Sequence, residues 1–217
     1  MIKDARCVAV FGRRGSGKTT RTRALVEGCP AVICFDPLGQ WSREFGYCPV
    51  GNLSLLHSLL REGWSSGFKI AFTPDAPDYP AALHELSTYL WHVQQPYERG
   101  RLRRKLTLVV EEMNLSVPVH ALPAAQRGFL QLVLQGRHRG IEIIGVSQRP
   151  ALVSADFRAN VSETYVFALG YPEDARIFRR AGDATALPNH AFIRISDQGA
   201  ARGENPPLQG RKRTARR

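Results

Sequence analysis

The chain is expected to adopt an α/β fold with a mostly parallel central sheet flanked by helices, for three reasons. Apolar runs of strand length recur along the sequence, helical leucine patterns alternate with them, and the first run leads a glycine-rich segment straight into a helix start. Strands that alternate with helices build βαβ units, whose crossovers make neighbouring strands parallel.

The first strand is expected over Arg6 to Phe11, and a helix after the glycine-rich turn reaches about Glu27. Ala31-Val32-Ile33-Cys34-Phe35 completes the first βαβ unit and ends in Asp36-Pro37. Leu53 to Arg61 carries leucines at helical spacing, and Phe68 to Phe72 is a further short strand closed by Thr73-Pro74. A helix from Pro80 to about Gln95 presents Leu83, Leu86, Leu90 and Val93 on one face, a core stripe, and Pro96 stops it. Leu106 to Val110 is apolar throughout, as a strand buried on both faces requires, and runs into Glu111-Glu112. A helix from Leu122 to Gln135 leads through Gly136-Arg137-His138-Arg139-Gly140 into a second buried strand, Ile141 to Val146, which ends in Ser147-Gln148-Arg149-Pro150. Strands follow around Glu163 to Leu169 and His190 to Ile195, with a helix from Pro172 to Ala181 between them. From Gln198 the composition turns to Gly, Pro, Ala and Arg, so residues 1–197 are expected as one domain and 198–217 as a flexible basic tail.

The 217 residues, 43% of them hydrophobic, suffice for one good core. A formal net charge of +11, from 30 Lys and Arg against 19 Asp and Glu, favours a polyanionic partner, nucleic acid before an acidic membrane surface. Cys7, Cys29, Cys34 and Cys48 lack zinc-site spacing and are expected as reduced, buried thiols. No apolar run approaches membrane-spanning length, and Met1 leads directly into the first strand without a cleavable signal.

The chemistry sits in three places. Gly12, Arg13, Arg14, Gly15, Ser16, Gly17, Lys18 and Thr19, followed by Thr20, match the phosphate-loop pattern G-x-x-x-x-G-K-[ST]. A strand that hands such a turn to a helix aims several backbone N–H groups at one point, where the helix dipole also favours anions. Lys18 is expected on the β and γ phosphates of ATP, and the Thr19 hydroxyl on its Mg2+. In open α/β sheets ligands bind beyond the carboxyl ends of strands, so Glu111 is expected at the magnesium's water shell and Glu112 as the group that polarises the attacking water. Gln148, at the end of the next strand, is expected to touch the γ-phosphate. A small-molecule kinase uses the same loop, as does a protein that holds ATP without hydrolysing it. Glu112 and Gln148 suit water activation better than either.

Gly136 to Gly140, the strand after it and Ser147-Gln148-Arg149-Pro150 resemble the sensor region of the FtsK/HerA superfamily of DNA-pumping ATPases. Asp36-Pro37-Leu38-Gly39-Gln40-Trp41 is similar to the stretch after that superfamily's second strand, and Asn160 to Ile177 to its last strand and helix. The resemblance covers residues 6 to 195 and is strongest to the small genome-packaging ATPases of membrane-containing icosahedral viruses. It implies a RecA-like P-loop NTPase core and a homo-oligomeric, usually hexameric, ring. It also implies an arginine lent to the neighbouring subunit's γ-phosphate, with Arg137 the first candidate and Arg149 the second. The implied partners are double-stranded DNA and capsid or vertex proteins, in the host cytoplasm and at the packaging vertex of the virion. A DNA-transfer or chromosome-pumping ATPase of the same superfamily is the nearest alternative. The superfamily's usual carboxylate pair is Asp-Glu, whereas this chain has Glu111-Glu112. Arg99, Arg101, Arg103, Arg104 and Lys105, together with the basic C-terminus, are candidate contacts to the duplex backbone.

Overall fold

Buried, β-branched and aromatic side chains drive the apolar runs into neighbouring strands, and the intervening segments return over the faces of the sheet as helices. The computed structural model describes residues 5–75, 78–120, 123 and 126–206. The strands are β1 (Cys7–Phe11), β2 (Ala31–Phe35), β3 (Cys48–Val50), β4 (Phe68–Phe72), β5 (Leu106–Val110), β6 (Ile141–Ser147), β7 (Glu163–Phe167), β8 (Ala191–Ser196) and β9 (Gly199–Glu204). They form one sheet in the order β3-β4-β2-β5-β6-β1-β7-β8-β9. Pairing is parallel from β3 to β7 and antiparallel for β8 and β9.

The helices are α1 (Lys18–Val26), α2 (Gln40–Phe45), α3 (Leu53–Gly63), α4 (Tyr79–Val93), α5 (Gln95–Glu98), α6 (Met113–Ser116), α7 (Gly128–Gln135), α8 (Ala155–Asn160) and α9 (Pro172–Ile177). Alternate strand residues point to opposite faces, which gives two cores. The larger packs Ala9, Phe11, Ile33, Phe35, Leu108 and Ile143 against Leu56 and Leu60 of α3, Leu83, Leu86 and Leu90 of α4, and Phe129 and Leu132 of α7. The smaller packs Val8, Val10, Val32, Cys34 and Ile144 against Val26 of α1 and Trp41 of α2.

Several expectations need correction. Residues 199–204, expected in the tail, form β9, because backbone pairing with β8 from Ala191↔Glu204 to Ser196↔Gly199 outweighs a Gly- and Ala-rich composition. The remainder of the expected tail, from Pro207 on, lies outside the described residues. The helix expected from Leu122 is described as α7 from Gly128, and residues 121, 122, 124 and 125 lie outside the described ones. Of the four thiols only Cys34 is fully buried, and Cys48 on the edge strand β3 is exposed. No helix among the described residues is long and apolar enough to cross a membrane.

Candidate active site

The strand order brings the three chemical segments together. The carboxyl ends of β5, β6 and β1 lie side by side, delivering in turn Glu111-Glu112, Gln148 and the loop from Gly12. β6 separates the loop strand from the carboxylate strand by one position, so a residue at its end faces both neighbours.

The loop is shaped by positive φ angles at Gly15 (74°) and Gly17 (109°), which glycine adopts without strain. At Gly12 space is limiting as well, since a Cβ there would approach Phe167 Cβ and Ser16 Oγ to 2.6 Å. Lys18 opens α1 and is only 9% exposed, with Nζ donating to Arg13 O at 3.1 Å. Burial lowers its pKa, opposed by the charges of Glu112 and Glu111. Ser16 is fully buried with its Oγ unpartnered, Thr19 and Thr20 are partly exposed, and Arg13 and Arg14 are exposed. At the far end of α1's first turn Arg21 donates to Tyr165 Oη at 2.8 Å, fixing the helix to β7.

Glu112 has a left-handed backbone (φ 46°, ψ 52°) and caps α6. That conformation is costly for a residue with a side chain and is characteristic of functional turns. The turn packs directly onto β6 because position 145 is glycine: a Cβ there would overlap Met113 Sδ and come within 2.5 Å of Phe157 Cζ. Gln148 Nε2 donates to Glu112 Oε1 at 2.8 Å, and Ser147 Oγ donates to Asn114 Oδ1 at 2.9 Å. Two bonds therefore join the ends of β5 and β6.

Glu111 accepts from Trp41 Nε1 at 2.8 Å. Trp41 is fully buried, and its backbone N–H donates to Asp36 Oδ2 at 2.7 Å. Burial pushes the Glu111 carboxyl up to about 7, against the Trp41 bond; Glu112 and Asp36 raise it further, and Lys18 opposes them. Among the described residues no group of three or more His, Cys, Asp or Glu could hold a metal ion by itself.

The two arginines lie apart. Arg149 follows Gln148, but its Nε donates to the fully buried Asp174 Oδ2 at 2.7 Å and its guanidinium stacks 3.8 Å from the Tyr171 ring centre. It is engaged within its own chain. Arg137 is exposed on a 3-10 turn before β6, at the amino end of the strands, whereas the loop lies at their carboxyl ends. The seven residues of β6 separate the two ends, roughly 20–25 Å at the rise of a strand. The basic cluster also divides. Arg104 donates to Trp64 O and to Ser65 O, and Lys105 pairs with Glu142 at 3.4 Å, whereas Arg99, Arg101 and Arg103 are exposed. Asn114 and Asn205 belong to the site's surroundings without any signal of their own in the sequence; His190 is marked there only as a strand start, and Trp41 only as the end of the Asp36–Trp41 stretch.

A parallel sheet with the loop strand and the carboxylate strand on either side of the sensor strand is the fold of RecA-like P-loop ATPases. Among solved structures the chain is similar to the genome-packaging NTPase B204 of Sulfolobus turreted icosahedral virus 2 in complex with AMP, at 14% identity and a TM-score of 0.65, over 96% of this chain and 99% of that one. B204, the DNA-packaging ATPase of Sulfolobus turreted icosahedral virus, matches at 16% identity and a TM-score of 0.65, over 96% of this chain and 100% of that one. The cytoplasmic domain of the type VII secretion ATPase EccC of Thermomonospora curvata matches at 15% identity and a TM-score of 0.63, over 95% of this chain but 24% of that one. No family model and no curated protein matches the chain.

Proposed function

We propose that the chain is an ATP-driven translocase of double-stranded DNA, a viral genome-packaging ATPase that acts as a homo-oligomeric ring. The observation that carries this reading is the convergence of the Gly12–Thr20 loop, Glu111-Glu112 and Gln148 on adjacent strand ends, with Gln148 bonded to Glu112. Backbone N–H groups of the loop and Lys18 bind the ATP phosphates. Thr19 and Glu111 would hold Mg2+, directly or through its water shell, and the ion would supply positive charge to offset that developing on the phosphates. Glu112 orients and deprotonates the attacking water, and Gln148, bonded to Glu112 before ATP binds, exchanges that partner for the γ-phosphate.

Arg137 lies too far from its own loop to serve it, which supports action on a neighbouring subunit. The engagement of Arg149 with Asp174 argues for Arg137 as the arginine lent in trans. The charge of +11 and the exposed Arg99, Arg101 and Arg103 favour a duplex as cargo. The similarity to EccC supports a second reading, in which the same motor moves a polypeptide. Ring size, location at the packaging vertex in the host cytoplasm, and contacts to capsid proteins belong to the first reading.

Phosphate release from Mg2+-ATP tests the site. Lys18→Ala should lose nucleotide binding, and Glu112→Gln should bind ATP as the parent does while turnover falls at least a hundredfold, the scale of a lost general base. Turnover by Glu112→Gln at the parental rate would refute the assignment of the base.

A further inference from the structure

The chain after β7 returns to the phosphate loop at both ends of the β8–β9 hairpin. Just before β8, His190 N donates to Ser16 O at 2.9 Å. Just after β9, Asn205 Nδ2 donates to Gly17 O at 2.9 Å, across 188 residues of sequence. The two ends are joined to each other, since Asn205 N donates to His190 O at 2.9 Å. Two successive loop carbonyls thus meet one pair of residues; the Gly17 carbonyl is shared with the Arg21 N–H of α1 at 3.1 Å, whereas the pair adds a second donor to it from outside the helix.

Holding the carbonyls matters because each peptide plane is rigid: fixing the C=O of Ser16 and Gly17 fixes the N–H groups of Gly17 and Lys18 on the opposite side of each plane. Those N–H groups open α1, where an anion is favoured. The contact is close enough to shape the sequence. A Cβ on Gly17 would stand 2.8 Å from Asn205 Nδ2 and 2.9 Å from His190 Nδ1. His190 itself accepts a left-handed backbone, φ 70°, to make its bond. Asn205 is only 5% exposed, yet its Oδ1 has no hydrogen-bond partner, an expensive arrangement if the amide served only to cover the core. Further out, Arg13 donates to Asn189 Oδ1 at 3.5 Å, so the hairpin meets the loop on two sides.

We infer that the His190–Asn205 pair is a clip that holds the phosphate loop in its anion-binding shape, with Asn205 as a positioning residue for the nucleotide. The inference rests on the nucleotide reading above and assigns a task to the segment that composition alone marks as tail. The clip's work is done before ATP arrives, so it lowers the cost of binding and leaves the chemical step to Glu112 and its neighbours.

Titration of the full-length protein with AMPPCP and Mg2+, beside thermal unfolding without nucleotide, tests this. Asn205→Ala should raise the Kd about fivefold to tenfold, the worth of one such bond, and raise KM for ATP while kcat stays near the parental value. Asn205→Asp keeps the size but sets an oxygen against the Gly17 carbonyl, so its Kd should rise further; it also supplies the answer if the truncation fails to fold. Parental affinity in Asn205→Ala or Asn205→Asp, with only a lower Tm, would reduce the pair to a structural brace and overturn the clip. Absence of AMPPCP binding by the parent would overturn the nucleotide reading and the clip with it.

Discussion

Glu111 and Glu112 are neighbours in sequence, but the backbone sends them into different surroundings. Glu111 is drawn to the buried Trp41 and has its charge disfavoured, whereas the left-handed turn at Glu112 aims its carboxylate at Gln148. The difference has a cost that pH can read. The folded Glu111 titrates at about 7 against 4.5 for the free side chain, so the folded state binds its proton more tightly than the unfolded one. This group's contribution to stability therefore falls as pH rises from about 4.5 through 7, and the full penalty remains above 7. Glu111→Gln removes the charge and keeps an oxygen for Trp41. In thermal unfolding without nucleotide it should be more stable than the parent at pH 8, by about 1–3 kcal/mol, and no more stable below pH 4.5. A Gln variant less stable than the parent at pH 8 would contradict the burial argument.

At the scale of elements, the junction of β5, β6 and α6 controls the site, and Gly145 is its tightest point. Gly145→Ala would force Met113 and Phe157 apart and lift the Glu112 turn from β6. It should cost about 1–3 kcal/mol in denaturant unfolding and lower turnover together with stability. Parental stability would mean that the turn can shift without strain. The same junction marks the limit of what the sequence discloses. β2 and β5 were legible because both faces of each are covered, which leaves continuous apolar runs. β3 was not, being three residues of an edge strand with Pro49 at its centre. α8 buries only Phe157 and has no apolar stripe, and α6 is a single turn dictated by the Glu112 backbone. The loop motif and the acidic strand end were legible because their chemistry is written in consecutive residues. Trp41, Asn114 and Asn205 act through single bonds to partners 70, 33 and 188 residues away, and no local pattern encodes such pairings.

At the scale of the whole molecule, the phosphate loop lies at the carboxyl ends of the central strands, and Arg137, Arg99, Arg101 and Arg103 precede the amino ends of β6 and β5. On the proposed ring reading, the amino end of one subunit's sheet would meet the phosphate loop of the next. Arg137→Ala should accordingly bind ATP normally, lose at least tenfold in turnover, and regain part of it when mixed with parental subunits. Unchanged turnover would remove Arg137 from the reaction. On the proposed reading, ATP hydrolysis by this fold is coupled to duplex DNA. The most direct test of that coupling is the steady-state ATPase rate with and without linear double-stranded DNA, over a protein concentration series at two salt concentrations. The predicted result is a rate that duplex stimulates, that rises cooperatively with protein concentration, and that loses its stimulation at high salt as phosphate contacts are screened. A rate linear in protein and indifferent to DNA at both salts would contradict the account.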